Sequence, residues 1–80
     1  MLVDKVDGKA DFAKLAEACE RNGATVETMD GVHAVFENFV LLMRASNTEP
    51  IVRLNSEAEN EKKAAEGMQL AKRFLAGCRI

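Results

Sequence analysis

The chain has 80 residues, of which 48% are hydrophobic and 30% are charged, and its formal net charge is -2 at pH 7. A chain of this length can bury one hydrophobic core, so we expect a single domain over residues 1–80. This charge gives no general attraction to nucleic acid or an anionic membrane, and no segment resembles a membrane span or a signal peptide. We therefore expect a cytoplasmic protein with no nucleic-acid or membrane partner.

The N-terminal part of the chain predicts a strand followed by a helix. Residues 2–6 are predicted to form the strand, and Asp7-Gly8 is a turn signal after it. Residues 10–22 are predicted to form the helix, because apolar side chains recur there at helical spacing and charged ones occupy the other side. Gly23 is predicted to end this helix.

Four strands are predicted to follow in direct succession. Residues 24–29 and 32–36 flank Asp30-Gly31, a dipeptide typical of tight hairpin turns. Residues 39–43 and 51–54 are rich in β-branched and apolar side chains and are separated by a polar loop. Successive strands joined by short turns favour an antiparallel sheet.

A last helix is predicted to begin near Asn60, which is a suitable N-cap residue. Its apolar stripe consists of Ala64, Met68, Ala71, Leu75 and Cys78. The predicted order is therefore β-α-β-β-β-β-α, an α+β fold in which both helices cover one face of an antiparallel sheet.

The loop between the last two predicted strands has the composition of a phosphate site. Arg44 and Arg53 flank it, and a guanidinium group presents a planar fork of donors that matches phosphate oxygens. Ser46 and Thr48 add hydroxyl groups, and Asn47 adds an amide and suits a tight turn. Backbone N–H groups of such a loop can also converge on an anion.

Strand parity predicts that the two arginines share a face of the sheet. If Arg44 lies opposite Ile51, then Leu42 lies opposite Arg53, and the two arginines are diagonal neighbours on one face. The other face is then apolar and available to the helices. It would carry Phe39, Leu41, Met43, Val52 and Leu54.

Residues 44–55, Arg-Ala-Ser-Asn-Thr-Glu-Pro-Ile-Val-Arg-Leu-Asn, resemble the phosphate-binding loop in the C-terminal domain of the α-D-phosphohexomutases, the phosphomannomutase and phosphoglucomutase family. Residues 29–36 resemble the hairpin that precedes this loop in the family, and residues 56–59 lead into a last helix as they do there. The resemblance covers essentially the whole chain. Asn47 in place of glycine, together with Arg53-Leu54-Asn55, resembles phosphomannomutases more than phosphoglucosamine mutases.

The resemblance implies a function for five residues. They would bind the phosphate that is not being transferred in a hexose phosphate, such as mannose or glucose 1- or 6-phosphate. These residues are Arg44, Ser46, Asn47, Thr48 and Arg53.

The resemblance also implies that the chain works with other mutase domains. It implies a fold like that of the TATA-binding protein, which says nothing about DNA binding. The family's phosphoserine nucleophile, its Mg²⁺ loop and its sugar-reading loop lie on three preceding domains, and none has a counterpart in residues 1–80. We therefore predict no catalytic and no metal-binding residue in this chain, and no activity of the isolated domain. Mg²⁺ is implied only for the parent enzyme, of which this would be the fourth domain.

Two other interpretations use the same residues. The arginines could pair with Glu49 and Glu57 and have no ligand. Alternatively, the chain could be a stand-alone α+β module that binds RNA or protein through its exposed sheet, although it has neither Tyr nor Trp, on which RNA bases commonly stack.

The sulfur and imidazole side chains are predicted to be structural. Cys19 and Cys78 lie at apolar helix positions without the spacing of a metal or redox motif. His33 is the only histidine, and its apolar neighbours favour a structural or surface role over catalysis.

Overall fold

The structure is a computed structural model that describes every residue from Met1 to Ile80. Its element order is β-α-β-β-β-β-α, which confirms the predicted α+β class. The elements are β1 (Leu2–Asp7), α1 (Phe12–Arg21), β2 (Thr25–Glu27), β3 (Val32–Val35), β4 (Val40–Ala45), β5 (Ile51–Glu57) and α2 (Glu61–Ala76).

All five strands form one antiparallel sheet in the order β1-β5-β4-β3-β2. The first strand of the chain therefore pairs with the last one, and the hairpin β4–β5 lies in the interior of the sheet. Helix α1 packs on β2 and β3, whereas α2 packs on β1, β4 and β5. Both helices cover the same face, as predicted, and the opposite face carries no helix.

Side-chain caps fix where each helix begins. The carboxylate of Asp11 accepts the N–H groups of Ala13 and Lys14 at 3.1 and 3.2 Å, so α1 begins later than residue 10. Ala10 instead pairs with Arg79 in an isolated β-bridge. Helix α2 follows Asn60 as predicted, and Asn60 Oδ1 accepts the N–H of Lys63 at 2.9 Å.

The hairpin β2–β3 is more open than predicted. Strand β2 already ends at Glu27, which pairs with His33. A tight two-residue turn of type I′ needs positive φ at both of its residues, but Gly31 alone has one, at 78°, and Asp30 does not. Residues 28–31 therefore form a longer connection, in which Met29 is 97% exposed.

The core lies between the sheet and the helices. The predicted apolar face of β4 and β5 is buried there through Leu41, Met43, Val52 and Leu54. Phe39 precedes β4 and is only partly buried. This face is not wholly apolar, because Ser56 is buried on it; its hydroxyl donates to the carbonyl of Ala64 at 2.8 Å and is thereby satisfied.

Candidate phosphate-binding site

Arg44 and Arg53 lie directly opposite each other on β4 and β5. The predicted pairing of Arg44 with Ile51 is wrong by two residues, because the N–H of Ser46 donates to the carbonyl of Ile51 at 3.1 Å and extends the ladder into the loop. A shift of two residues preserves strand parity. Both arginines therefore point to the same face of the sheet, as predicted, and that face is the one without helices.

A shallow depression of about 240 Å³ lies on this face beside the loop. It is lined by Leu42, Arg44, Ala45, Ser46, Asn47, Arg53 and Asn55. The structure thus brings four of the five predicted phosphate ligands to one concave surface. The fifth, Thr48, does not line the depression; its hydroxyl lies 3.4 Å from that of Ser46.

Hydrogen bonds hold the loop in a defined shape. The N–H of Ile51 donates to the carbonyl of Glu49 at 2.8 Å, and the N–H of Thr48 lies 3.3 Å from the Ser46 hydroxyl. The carbonyl of Pro50 accepts the N–H of Gly8 at 2.6 Å, which ties the loop to the end of β1. The N–H groups of Asn47 and Glu49 have no acceptor within the chain, so they remain free to bind an anion.

The end of β1 is itself held by the C-terminal residues of the chain. The guanidinium of Arg79 donates to the carbonyl of Asp7 at 2.8 Å, and the N–H of Ile80 donates to the carbonyl of Lys9 at 2.9 Å. Because Gly8 follows Asp7 directly, these bonds support the same segment that holds the carbonyl of Pro50. The loop is therefore anchored to the segment that follows β1 as well as joined to β4 and β5.

The two arginines differ in their electrostatic partners. The guanidinium of Arg44 lies 3.5 Å from the carboxylate of Asp30, and both side chains are exposed. Arg53 has no carboxylate within ion-pairing distance, and neither Glu49 nor Glu57 takes part in an ion pair. The interpretation in which these two glutamates neutralise the arginines is therefore wrong.

Strand β1 adds a cation that the sequence alone did not indicate. Lys5 pairs directly with Arg53 across β1 and β5. Three positive side chains therefore stand in a row on the face of the sheet that carries no helix, which we call the open face, in the order Lys5, Arg53, Arg44. Like charges directly opposite each other destabilise a sheet. Lys5 was not predicted as part of this group, because its position depends on the pairing of β1 with β5, two strands far apart in the chain.

The depression also has three neutral members that were not predicted as ligands, Leu42, Ala45 and Asn55. Asn55 follows Arg53 by two residues and shares its face, and Leu42 lies directly opposite Asn55. Alternation along β5 was sufficient to place Asn55 beside Arg53, although nothing in the sequence showed that the depression extends to it.

Neither the two cysteines nor the histidine lines this depression. Burial raises the pKa of the Cys19 thiol to about 11 and also raises that of Cys78, so both free thiols stay protonated near neutral pH. His33 is half-buried opposite Leu42 and does not line the depression. No group of three His, Cys, Asp or Glu side chains is placed to hold a metal ion.

Two further surface properties bear on possible partners. The partly buried rings of Phe36, Phe39 and Phe74 pack together against the core, with centroid separations of 5.1 Å for Phe36–Phe39 and 6.4 Å for Phe36–Phe74, whereas RNA-binding sheets usually stack bases on aromatic rings of their exposed face. Neither helix combines the length and apolar character needed to cross a bilayer.

Comparison with known proteins defines the family. Residues 2–73 match the family described as phosphoglucomutase/phosphomannomutase, C-terminal domain. The chain belongs to this family, which confirms the resemblance found in the sequence.

Several relatives carry mutase names. A phosphoglucomutase/phosphomannomutase of Thermococcus kodakarensis is 45% identical over 69 residues, which cover 86% of this chain and 15% of the relative. A phosphomannomutase of Methanocaldococcus jannaschii is 41% identical over 51 residues, which cover 64% of this chain and 11% of the relative. A phosphoglucosamine/phosphogalactosamine mutase of Sulfurisphaera tokodaii is 32% identical over 66 residues, 82% of this chain and 14% of the relative.

The chain thus spans 15% or less of the length of these relatives. Their names include more than one sugar phosphate, so the sugar preference suggested by Asn47 stays a prediction.

Proposed function

We propose that this domain binds the phosphate group of a hexose phosphate, the one that is not transferred, during intramolecular phosphoryl transfer by a phosphomannomutase/phosphoglucomutase. The observation that supports this most directly is the pair Arg44 and Arg53, which lie directly opposite each other on an open face. Arg53 has no counter-anion within the chain. A dianionic phosphate between the two guanidinium groups would supply one.

The electrostatics of the open face favour an anionic ligand. Placing Lys5, Arg53 and Arg44 side by side costs stability in the unliganded sheet. A bound phosphate removes this repulsion and accepts paired N–H bonds from the arginines, each worth roughly 1.5–3 kcal/mol. Ser46 and Asn47 also line this depression, and the hydroxyl of Ser46 and the free N–H of Asn47 would supply further donors to the phosphate.

The remaining steps of the reaction belong to other parts of the parent enzyme. The phosphoserine nucleophile, the Mg²⁺ ion and the sugar-reading loop would come from the other mutase domains, which are the proposed partners of this one. The isolated domain should therefore bind substrate without converting it. We propose the cytoplasm as its compartment, and the two free cysteines agree with a reducing environment.

The proposed function can be tested by titrating the ¹⁵N-labelled domain with mannose 1-phosphate. One exposed loop contacts few atoms of the ligand, and these contacts must offset the rotational freedom that the ligand loses on binding. We therefore expect a dissociation constant of about 1 mM or larger. In a full mutase, the other domains would raise the effective concentration of the phosphate at this loop. The amide resonances of residues 46–49 should shift first. Shifts confined to α1 and α2 would refute the proposed function.

A further inference from the structure

The depression on the open face has a charged row and a neutral row. The pair Arg44–Arg53 forms the charged row, and the next pair on the same face, Leu42–Asn55, forms the neutral one. Residues two apart on a strand are separated by about 6.8 Å. A phosphate held at the charged row would therefore leave room at the neutral row for the molecule to which it is esterified.

Asn55 is the polar group of the neutral row, and it stands between apolar neighbours. Leu42 lies opposite it on β4, and Val3, which is 67% exposed, lies opposite it on β1. The side-chain amide of Asn55 forms no hydrogen bond within the chain, although the residue is half-buried. No structural partner accounts for an amide at this position.

The chemistry of the row matches a hydroxylated ring. A carboxamide both donates and accepts hydrogen bonds, as a sugar hydroxyl requires, and an aliphatic side chain such as Leu42 can pack against the C–H groups of the ring. An inorganic phosphate ion has no atoms that reach this row.

We propose that Asn55 is a specificity-determining residue, which hydrogen-bonds a hydroxyl group of the hexose while Arg44 and Arg53 bind its phosphate. This inference rests on the proposed function and adds the ligand class: a phosphate monoester of a polyhydroxylated molecule, bound in preference to inorganic phosphate. Part of the sugar recognition would then lie on this domain.

Two ligands separate the role of Asn55 from that of the arginines. The ¹⁵N-labelled domain and its Asn55→Leu variant are each titrated with mannose 1-phosphate and with inorganic phosphate. The wild type should bind the ester more tightly. The variant should lose about two- to tenfold in affinity for the ester, the effect of one neutral hydrogen bond, and should bind inorganic phosphate within about twofold of wild type.

Two controls keep the result interpretable. Gln69→Leu removes an exposed carboxamide from α2 and should change neither affinity. Asn55→Ala tests whether the bulk of leucine blocks the depression, and it should reproduce the selective loss even if the leucine variant fails to fold. Equal losses for both ligands, or no loss for the ester, would overturn the role of Asn55 alone. No binding of either ligand by the wild type would overturn the proposed function as well.

Discussion

Asp30, the residue just before Gly31, places its carboxylate 3.5 Å from the guanidinium of Arg44. The hairpin β2–β3 therefore places a negative charge next to one of the two arginines and leaves the other, Arg53, without a partner. An internal carboxylate competes with an external anion for the same donors. The candidate site thus has one arginine that is partly occupied and one that is free.

Removing the competing carboxylate should strengthen anion binding. We expect Asp30→Asn to raise the affinity for phosphate by up to about fivefold, because an exposed ion pair is worth roughly 0.2–1 kcal/mol. The change is measured by phosphate titration at low ionic strength. Glu20→Gln removes the same charge from the exposed side of α1 and serves as the control. Equal gains in both variants would mean that net charge, and not Arg44, sets the affinity.

Arg53 should contribute more to binding than any other exposed basic residue. We expect Arg53→Ala to weaken phosphate binding by about ten- to a hundredfold, which corresponds to the loss of one or more charge-assisted bonds. Arg73→Ala, an exposed arginine of α2 without an ion pair, is the matched control and should have almost no effect. Lys72 is unsuitable as a control, because its ammonium group binds the carboxylate of Asp4. A loss of less than threefold for Arg53→Ala would argue against the site.

Gly31 should be essential for the geometry beside Arg44, whereas Gly23 should not. Both have positive φ, 78° and 93°, and alanine in such a conformation costs about 1–2 kcal/mol. A Cβ at Gly31 would also collide with the carbonyl oxygen of Met43, but one at Gly23 meets nothing within 4 Å. We therefore expect Gly31→Ala to lower the free energy of unfolding by about 2–5 kcal/mol in total. Both glycine-to-alanine variants are measured by chemical denaturation. If Gly23→Ala and Gly31→Ala lowered the free energy of unfolding equally, the close packing of the hairpin on β4 would be contradicted.

Cys19 should make the fold sensitive to alkaline pH. Burial raises its pKa from an ordinary value of 9.0 to about 11, so between these values the unfolded chain releases a proton that the folded chain retains. The free energy of unfolding should therefore fall as pH rises from about 9 to 11 and be unaffected by this group below pH 9. Denaturation curves of Cys19→Ala should show a shallower decline over this range. An identical slope in the variant would exclude this thiol as the cause.

Local patterns in the sequence were sufficient to predict most elements. Apolar periodicity placed both helices, Asn60 correctly marked the beginning of α2, and strand parity put Arg44 and Arg53 on one face. Alternation gives parity reliably because a shift that keeps the buried set inside must be an even number of residues. The resemblance to the phosphohexomutases then predicted that the loop binds phosphate.

Three features depended on interactions that a sequence does not display. The register of β4 and β5 was set by the hydrogen bond from Ser46 to Ile51, within the loop itself. The turn between β2 and β3 is longer than two residues, because Asp30 does not adopt the positive φ that a tight turn requires. Lys5 entered the cation row only because β1 pairs with β5, a contact between residues far apart in the chain. Each depends on backbone geometry or topology and not on composition.

A crystal structure of the domain with mannose 1-phosphate tests the central claim most directly. We predict the phosphate between the guanidinium groups of Arg44 and Arg53, within hydrogen-bonding distance of both and of the Ser46 hydroxyl or the Asn47 N–H. A phosphate bound away from this depression, or two guanidinium groups turned to opposite sides with no shared ligand, would contradict it.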